Sequence, residues 1–379
     1  MKIEQIELFV VRIPLIPITA GGIAPYRGHN LPPGQGLTSA ASCIYKVVTD
    51  DGLVGWGETN PVVNFSFHRA LFEEVLRPAL IGSDPLNREE ICRKISPSFA
   101  PPLFSRSLLA GIDMACWDIL GQAANRPVYD LLGGMIRERV GIAYCIGIFE
   151  EEATREKILS IREQGFPTLK IKGGGDVVSD VQRTFAAREH TGPEMNLRID
   201  MNQGYDFTQA ARFLNSTESL DLEYIEQPLP VNQFDAMAAL RSRCKTPVAI
   251  NEDCYIPHNL FEFIRQKAID LAVVDLDPLG GISALVKVAN YCAEAGLPLA
   301  HHCGFDMGIK LAAILQVYAA RPALSHAVDS TYMGHADDIL VEPIQIVEGH
   351  YLVPQGPGLG VTVDEDKIRR YSLESAGQE

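Results

Sequence analysis

After residue 135 the chain alternates short apolar runs with longer amphipathic stretches. The stretches between the runs, such as "EATREKILSIREQG" and "ISALVKVANYCAEAG", have the periodicity of helices. The apolar runs are "VGIAYCIG", "PTLKIK", "NLRIDMN", "LEYIEQP", "PVAINED", "IDLAVVDLD", "LPLAHHC" and "SHAVD". Because parallel strands need helical crossovers, this alternation predicts a parallel α/β barrel. The alternative is an open doubly wound sheet, but "GGG" at 173–175 lacks the glycine spacing of a dinucleotide-binding loop.

The residues before this region follow a different pattern. Strand-like runs, "KIEQIELFVVRI" and "ASCIYKVVTDDGLVGWGE", precede the helical stretch "SLLAGIDMACWDILGQAA". A Gly/Pro-rich loop joins the two strand-like runs, and "DLLGG" at 130–134 has the composition of a helix end. This part of the chain therefore predicts an α+β unit with a meandering sheet.

Polar side chains end seven consecutive strands of the predicted barrel, and the ends of parallel barrel strands share one mouth. Helix caps or salt bridges at the rim would explain any one of them alone, but a run of seven favours a functional site. They are Lys170 and Lys172, Asp200 and Asn202, Glu226, Glu252 and Asp253, Asp275 and Asp277, His301 and His302, and Asp329.

Three of the carboxylates are candidate metal ligands. Asp200, Glu226 and Glu252 offer oxygen ligands without a thiolate, which favours a hard cation such as Mg²⁺. Strand alternation points Asp253 the other way, so we expect Asp253 to be structural. Cys254 and Cys303 raise the alternative of zinc, but neither has a companion at ligand spacing.

The same strand ends carry candidate acid–base groups. Lys170 and Lys172 face one side of their strand, and two adjacent ammonium groups lower each other's pKa, which predicts a neutral lysine base. The alternative is that both lysines neutralise an acidic mouth. His302 with Asp275 on the neighbouring strand predicts an oriented imidazole, whereas His301 should point away and pack.

Composition narrows the class of protein. The 379 residues are 46% hydrophobic and 21% charged, which is typical of a globular protein, and the net charge of −15 argues against nucleic-acid and membrane partners. The N-terminal "MKIEQIELFVVRIPL" has the pattern of a strand, with no signal peptide or membrane span. Eight cysteines without a CxxC pair predict reduced thiols and a cytoplasmic protein.

Several motifs together resemble one family. "KIK", "IDMNQ", "YIEQP", "INED", "DLDPLGGIS" and "HHC", with "GLVGWGE" and "PGLGV" outside the barrel, are similar to the enolase superfamily, in its mandelate racemase and muconate lactonizing branch. The resemblance covers nearly the whole chain. It implies an α+β capping domain (1–128), a modified (β/α)₇β barrel (129–335) and a C-terminal segment (336–379) that completes the cap.

The resemblance also implies roles for the residues at the mouth. Lys172 matches the basic lysine of the mandelate racemase subgroup and Lys170 its partner, while His302 and Asp275 match the opposing dyad. A Mg²⁺ ion on the three carboxylates then stabilises an enediolate formed when the proton α to a carboxylate is removed. Members of the family form dimers and octamers, so we expect a homo-oligomer that acts on a small-molecule carboxylate.

Two positions depart from the patterns of known subgroups. Asp275 stands where muconate cycloisomerases and dipeptide epimerases have a lysine. Asp329, in "AVDSTY", replaces a glutamate of the racemase pattern and is closer to glucarate dehydratases, although Glu252 stands where those enzymes use asparagine. The sequence thus predicts an acid-sugar dehydratase that eliminates a β-hydroxyl and forms a 2-keto-3-deoxy acid.

The sequence also allows two other functions. One is a racemase, epimerase or cycloisomerase of a carboxylate, and the other is a non-catalytic, metal-dependent carbohydrate-binding protein. Substrate contacts are predicted for Asn202 and Asp329, and for Tyr26, Arg27 and His29 in the loop before the second strand. For each of the loop residues, a solvated loop is the alternative.

Overall fold

The computed structural model describes residues 1–16, 38–61, 64–95, 102–147, 151–256 and 258–373. The predicted substrate contacts Tyr26, Arg27 and His29 lie outside the described residues. None of the helices in the described ranges is long and apolar enough to cross a membrane.

The N-terminal unit is a three-stranded antiparallel meander covered by helices. Its strands are β1 (Ile3–Pro14), β2 (Ser39–Thr49) and β3 (Val54–Thr59), with β2 in the centre. Its helices are α1 (Phe65–Leu71), a π-helical turn (Phe72–Leu76), α2 (Arg77–Leu80), α3 (Arg88–Ile95), α4 (Pro102–Ala124) and α5 (Val128–Leu131). The inward faces of the strands and helix α4 form a separate apolar core.

Helix α4 lies directly against β3 because two glycines face each other there. A Cβ atom placed on Gly57 would lie 1.8 Å from the carbonyl oxygen of Gly111. Neither position has room for a side chain, which explains why "GLVGWGE" and "GIDMACWDILGQ" both carry glycine at the contact. The close packing holds β3 against α4 and thereby fixes the position of Glu58 at the end of β3.

Eight parallel strands form the barrel. They pair in the order β4 to β10, β11 pairs with β4, and β10 and β11 lie next to each other where the ring closes. The strands are β4 (Arg139–Cys145), β5 (Thr168–Lys172), β6 (Asn196–Asp200), β7 (Tyr224–Glu226), β8 (Val248–Ile250), β9 (Leu271–Val274), β10 (Leu299–His301) and β11 (Val328–Ser330). Each contains residues of one of the eight apolar runs.

Helices follow each of the first seven barrel strands. They are α6 (Glu151–Glu163), α7 (Val177–Thr191), α8 (Phe207–Thr217), α9 (Phe234–Arg241), α10 (Asn259–Arg265), α11 (Leu276–Leu279), α12 (Ile282–Glu294) and α13 (Gly308–Ala320), with 3₁₀ turns at Glu218–Leu220, Glu252–Tyr255 and Tyr332–Gly334. Seven strand–helix units and a final strand are the predicted (β/α)₇β barrel with an α+β cap, and this prediction is confirmed.

Strand alternation decides which side chains face the barrel axis. The interior cluster includes Tyr224, Leu271, Val273 and Ala300. The residue two positions further along a strand faces the same way, so Glu226 and His302 should project toward the mouth above this cluster. This apolar cluster therefore forms part of the floor of the polar mouth.

The C-terminal segment contacts both units. Its strands β12 (Ile346–Val347) and β13 (His350–Leu352) extend the barrel sheet, because β13 pairs antiparallel with β4. Helix α14 (Glu365–Tyr371) lies over the cap, where Glu365 pairs with Lys46 of β2 at 2.8 Å. The segment thus contacts the cap through this ion pair and extends one side of the barrel sheet.

Candidate active site

Lys170 lies at the centre of a buried ionic network on the barrel axis. Its Nζ atom is 2.6 Å from Oδ2 of Asp329, 2.7 Å from Oε2 of Glu226 and 3.3 Å from Oδ2 of Asp200. Burial lowers the pKa of Lys170, but the three carboxylates outweigh burial and raise the pKa well above its usual value. Lys170 is therefore a fixed cation that holds these carboxylates together.

Asp329 uses both carboxylate oxygens within this network. Its Oδ1 atom accepts a hydrogen bond from Nη1 of Arg198 at 3.0 Å, and Oδ2 accepts one from Lys170. Arg198 also contacts Glu223 at 2.7 Å and the hydroxyl of Tyr224 at 2.6 Å. This placement favours a structural role for Asp329 below the mouth over the substrate contact predicted from the sequence.

Lys172 lies above Lys170 and is paired with the next strand. Its Nζ atom donates to Oδ2 of Asp200 at 2.7 Å and to Oδ1 of Asn202 at 3.0 Å. Burial and Lys170 lower the pKa of Lys172, but Asp200 and Glu226 raise it more, so the net pKa lies above its usual value. Lys170 thus lowers the pKa of Lys172 as predicted, but the predicted net lowering is wrong, because the prediction left out the carboxylates, which raise the pKa more.

The loops after β5 and β6 touch through glycine, which brings Lys172 and Asn202 together. Gly174 has a φ of 91°, and a Cβ atom there would lie 2.1 Å from the carbonyl oxygen of Met201. Only glycine fits this close approach. The "GGG" stretch is thus a contact between two loops of the mouth.

The carboxylates of Asp200 and Glu226 meet with the imidazole of His302. One potential ligand atom from each of the three residues lies within 4.8 Å of the others. Burial opposes ionisation of Asp200, but Lys172, Lys170 and His302 outweigh burial and lower its pKa below the usual value. Asp200 is therefore an anion in this arrangement.

Glu252, the third predicted ligand, lies beside this cluster and not within it. Strand β8 ends at Ile250, and Glu252 begins a 3₁₀ turn, so strand alternation no longer orients its side chain. Its Oε1 atom is 3.5 Å from Nδ2 of Asn202. Burial, followed by the charges of Asp200 and Glu226, raises the pKa of Glu252.

These carboxylates suit a divalent cation. Oε1 of Glu226 and Oε2 of Glu252 are buried, and neither has a hydrogen-bond partner among the described residues. Buried carboxylate oxygens without partners are costly, and a hard cation with oxygen ligands would satisfy both. The set Asp200, Glu226 and Glu252 therefore fits Mg²⁺, with an oxygen or nitrogen donor from elsewhere completing the shell.

His302 faces Glu226, while Asp275 is engaged elsewhere. Nδ1 of His302 lies 3.7 Å from Oε1 of Glu226. Asp275 instead lies 3.0 Å from Nζ of Lys310, which also contacts Asp306 at 2.8 Å. In the described part of the chain no hydrogen bond joins His302 to Asp275, so their dyad stays a prediction.

The neighbouring candidates have structural surroundings. The ring of His301 is fully buried, and its Nε2 atom accepts a hydrogen bond from the amide of Leu276 at 2.9 Å. Asp253 accepts three hydrogen bonds, from Gln227 at 2.8 Å, from the amide of Asn232 at 2.9 Å and from Asn259 at 2.6 Å. Both placements agree with the packing and structural roles expected for these residues.

Sequence reasoning missed Lys310 and Glu58, which lie near the end of the sixth barrel strand. Lys310 lies in the first turn of α13, and Glu58 from the cap accepts hydrogen bonds from the amides of Met307 and Lys310 at 2.7 and 2.9 Å. Asp277 accepts a hydrogen bond from the amide of Asn60 at 2.7 Å, which joins cap to barrel. The available signal was one lysine, the single charged residue in the mainly apolar "GIKLAAILQVYAA".

Fold and site together define a capped-barrel enzyme with an acid-lined mouth. Residues 35–133 match the family model for the mandelate racemase / muconate lactonizing enzyme N-terminal domain, and residues 153–367 match the model described as enolase C-terminal domain-like. The chain belongs to the enolase superfamily, in its mandelate racemase and muconate lactonizing branch, as the sequence motifs predicted. Members of this superfamily bind a divalent metal ion.

Relatives in this family catalyse several reactions. The chain is 29% identical to an N-succinyl-L-Arg/Lys racemase of Bacillus cereus over 98% of each chain. It is 30% identical to an arabinonate dehydratase of Saccharolobus solfataricus, covering 87% of this chain and 90% of the relative. The solved structure of an isomerase from Streptomyces coelicolor is 33% identical over 98% of each chain, with a TM-score of 0.82. Other relatives are epimerases and cycloisomerases, so similarity alone does not select one reaction.

Proposed function

We propose that this chain is a Mg²⁺-dependent acid-sugar dehydratase that acts on a polyhydroxy carboxylate. One observation carries the proposal: two acid–base groups flank a pair of carboxylates on neighbouring strands. Lys172 contacts Asp200 at 2.7 Å, and His302 faces Glu226 at 3.7 Å. A substrate held at these carboxylates would present its α-carbon between the lysine and the imidazole.

Asp200, Glu226 and Glu252 would hold the cation. A bound Mg²⁺ would supply positive charge where negative charge develops on the substrate carboxylate as the α-proton leaves. Lys170 is buried beneath these groups and keeps Glu226 in place at 2.7 Å. Its role is to position the carboxylates, since no face of its ammonium is left for the substrate.

In the proposed reaction Lys172 removes the α-proton as a neutral amine, a form that a cation held by Asp200 and Glu226 would favour, because it would offset the carboxylate charges that raise the pKa of Lys172. Its Nζ atom reaches the substrate only after it leaves Asp200, with which it shares a hydrogen bond. His302, in its protonated form, then donates a proton to the β-hydroxyl, which departs as water as the carbon–carbon double bond forms. The enol product tautomerises to a 2-keto-3-deoxy acid, and solvent supplies the proton at carbon 3.

The residue at the end of the sixth barrel strand separates this reaction from two others in the family. Asp275 is a carboxylate paired with Lys310 at 3.0 Å, whereas the resemblance assigns a catalytic lysine to this position in muconate cycloisomerases and dipeptide epimerases. His302, on the other side of the carboxylates from Lys172, can donate a proton to a leaving hydroxyl. The combination of Lys172 as base and His302 as acid supports elimination.

Racemisation is the second candidate, and one observation favours it: the racemase of Bacillus cereus aligns over 98% of each chain. The same two bases would serve, with reprotonation on the opposite face and no leaving group. Solvent deuterium would then enter substrate that keeps its hydroxyl groups. Dehydration instead consumes the substrate as deuterium appears in the product.

A screen of acid sugars in deuterated buffer with Mg²⁺ tests the proposal. We expect at least one aldonate or aldarate to give a 2-keto acid, detected as its semicarbazone. The Glu226→Gln variant, purified in the same way, controls for contaminating dehydratases. If recovered substrate contains deuterium and no keto acid forms, the proposed dehydration is wrong and the activity is racemisation or epimerisation.

A further inference from the structure

Two thiols meet at the mouth of the barrel. Sγ of Cys303 lies 4.0 Å from Sγ of Cys145, although 158 positions separate them in the chain. Cys145 is 8% exposed, and Cys303 is half-buried and therefore the more accessible of the two. Cys303 has no cysteine close to it in the sequence, but the fold places Cys145 beside it.

The pair lies directly beside the proposed catalytic groups. Cys145 ends β4 and is in register with Lys170 on β5, so its side chain faces the barrel interior like that of Lys170. Cys303 follows His302 in the chain. The contact spans the end of β11, whose Asp329 is in register with Ala143 of β4.

We propose that Cys145 and Cys303 form a redox-modifiable pair, whose oxidation to a disulfide moves the loop of His302 and reversibly inactivates the enzyme. The oxidant is a low-molecular-weight disulfide such as oxidised glutathione. The inference goes beyond the proposed function, since it holds for any reaction that uses His302.

The chemistry is a thiol–disulfide exchange in two steps. The thiolate of Cys303 attacks one sulfur of oxidised glutathione, which forms a mixed disulfide and releases one glutathione thiolate. The thiolate of Cys145 then attacks Sγ of Cys303 and releases the second. The protein loses two protons and two electrons, and one glutathione disulfide becomes two molecules of reduced glutathione.

The distance predicts the consequence for activity. A disulfide has a sulfur–sulfur bond of about 2.05 Å, so the two atoms must approach each other by about 2 Å. Catalytic geometry tolerates about 0.5 Å, and a displacement of about 1 Å costs on the order of 100-fold in rate. Because Cys303 is bonded to His302, we expect kcat to fall at least about tenfold in the linked enzyme, with a smaller change in KM.

The contact with Cys145, and then burial, raise the pKa of Cys303 well above its usual value, so its reaction with oxidised glutathione is slow at neutral pH. The test therefore uses the full chain at mildly alkaline pH. Trypsin digestion without reductant, followed by mass spectrometry, should show peptide 140–155 linked to peptide 288–310. Peptide 288–310 also carries Cys292, so fragmentation must place the link at Cys303.

Matched variants complete the experiment. Cys145→Ser should abolish the linked peptide and leave only glutathione on Cys303, while Cys92→Ser, at a half-buried thiol of the cap, should behave as the unmodified chain. Loss of kcat should follow the linked fraction, and dithiothreitol should restore it. The proposed disulfide is refuted if the wild-type chain gives no internal link or a link through Cys292. The proposed effect on His302 is refuted if the linked enzyme keeps its full kcat. Peptide mapping needs no substrate, so its outcome is independent of the proposed function.

Discussion

Nδ1 of His302 lies 3.7 Å from Oε1 of Glu226, and neither atom has a hydrogen-bond partner among the residues that the structure describes. This distance is too long for a direct hydrogen bond and leaves room for a group that contacts both. Across the same pair of carboxylates, Lys172 holds Asp200 at 2.7 Å. The two sides of the mouth are thus chemically different, which an elimination needs for its base and its acid.

Glu226→Gln should remove metal binding and turnover while the fold persists. The variant loses one negative charge from the proposed metal shell, and Lys170 keeps Asp329 at 2.6 Å and Asp200 at 3.3 Å as partners. Calorimetric titration with Mg²⁺ should show at least about a tenfold weaker affinity, and kcat should fall below detection. Circular dichroism should remain that of the unmodified chain.

Glu223→Gln is the matched control for the Glu226 variant. Glu223 lies three positions earlier and contacts Arg198 at 2.7 Å, away from the cation ligands. It should keep Mg²⁺ affinity and most of the activity. Full activity of Glu226→Gln in the presence of a chelator would refute the proposed metal site.

Asp329→Asn should destabilise the protein more than it weakens substrate binding. The change leaves Lys170 and Arg198 as buried cations with one fewer carboxylate, and breaking a buried ion pair costs about 3 kcal/mol. Urea unfolding should show this loss, with a decrease in kcat and little change in KM. Glu89→Gln, which breaks an exposed pair with Lys287, should leave stability unchanged. Normal stability with a raised KM would instead assign Asp329 to substrate binding.

Glu58 should make stability depend on pH. Burial, and next the charge of Asp306, raise its pKa from 4.5 to about 8, against the hydrogen bonds donated by the amides of Lys310 and Met307. A carboxyl group whose pKa is raised by folding stabilises the native state below its unfolded pKa, and this contribution is lost as pH rises through the folded pKa. Stability should therefore fall between pH 4.5 and about 8.

The Glu58→Gln variant isolates this effect. It cannot ionise, so the unfolding free energy of the unmodified chain minus that of the variant should decrease between pH 4.5 and about 8. Burial also raises the pKa of Asp277, to about 7, so the variant should keep part of the pH dependence. A difference that stays constant over this range would mean that Glu58 does not titrate as described.

The barrel and the identity of the residues at its mouth were predictable because strand period and strand order are local properties. Apolar runs of period two, separated by helices, leave few arrangements, and parallel strands place the ends of β5 to β10 together. The alternation that places Glu226 above Tyr224, and His302 above Ala300, needs no knowledge of distant contacts.

The pKa values, the position of Glu252 and the pairing of Lys310 could not be predicted, because they depend on contacts between elements that are distant in the sequence. The pKa of Lys172 is raised because Asp200 of another strand is 2.7 Å away, while sequence spacing suggested only its neighbour Lys170. Glu252 departs from its expected position because β8 ends two residues before it. The Lys310 and Asp275 pair joins a helix to a strand end 35 positions earlier in the chain, and no periodicity predicts that pairing.

The division of labour between Lys172 and His302 is the central claim, and solvent exchange tests it most directly. In deuterated buffer, His302→Asn should exchange the α-proton of the substrate without eliminating water, because the base remains and the acid is gone. Lys172→Ala should neither exchange nor eliminate. His350→Asn controls for the loss of a histidine, since β13 pairs near the start of β4 at Gly141, at the opposite end of the barrel.

Deuterium at the α-carbon, measured by proton NMR of recovered substrate, decides the outcome. The account predicts exchange without keto acid in His302→Asn, and neither signal in Lys172→Ala. Exchange that survives only in Lys172→Ala would reverse the two roles. Near-normal formation of the 2-keto acid by both variants would contradict the mechanism, and would leave Lys172 and His302 as charges that only line the mouth of the barrel.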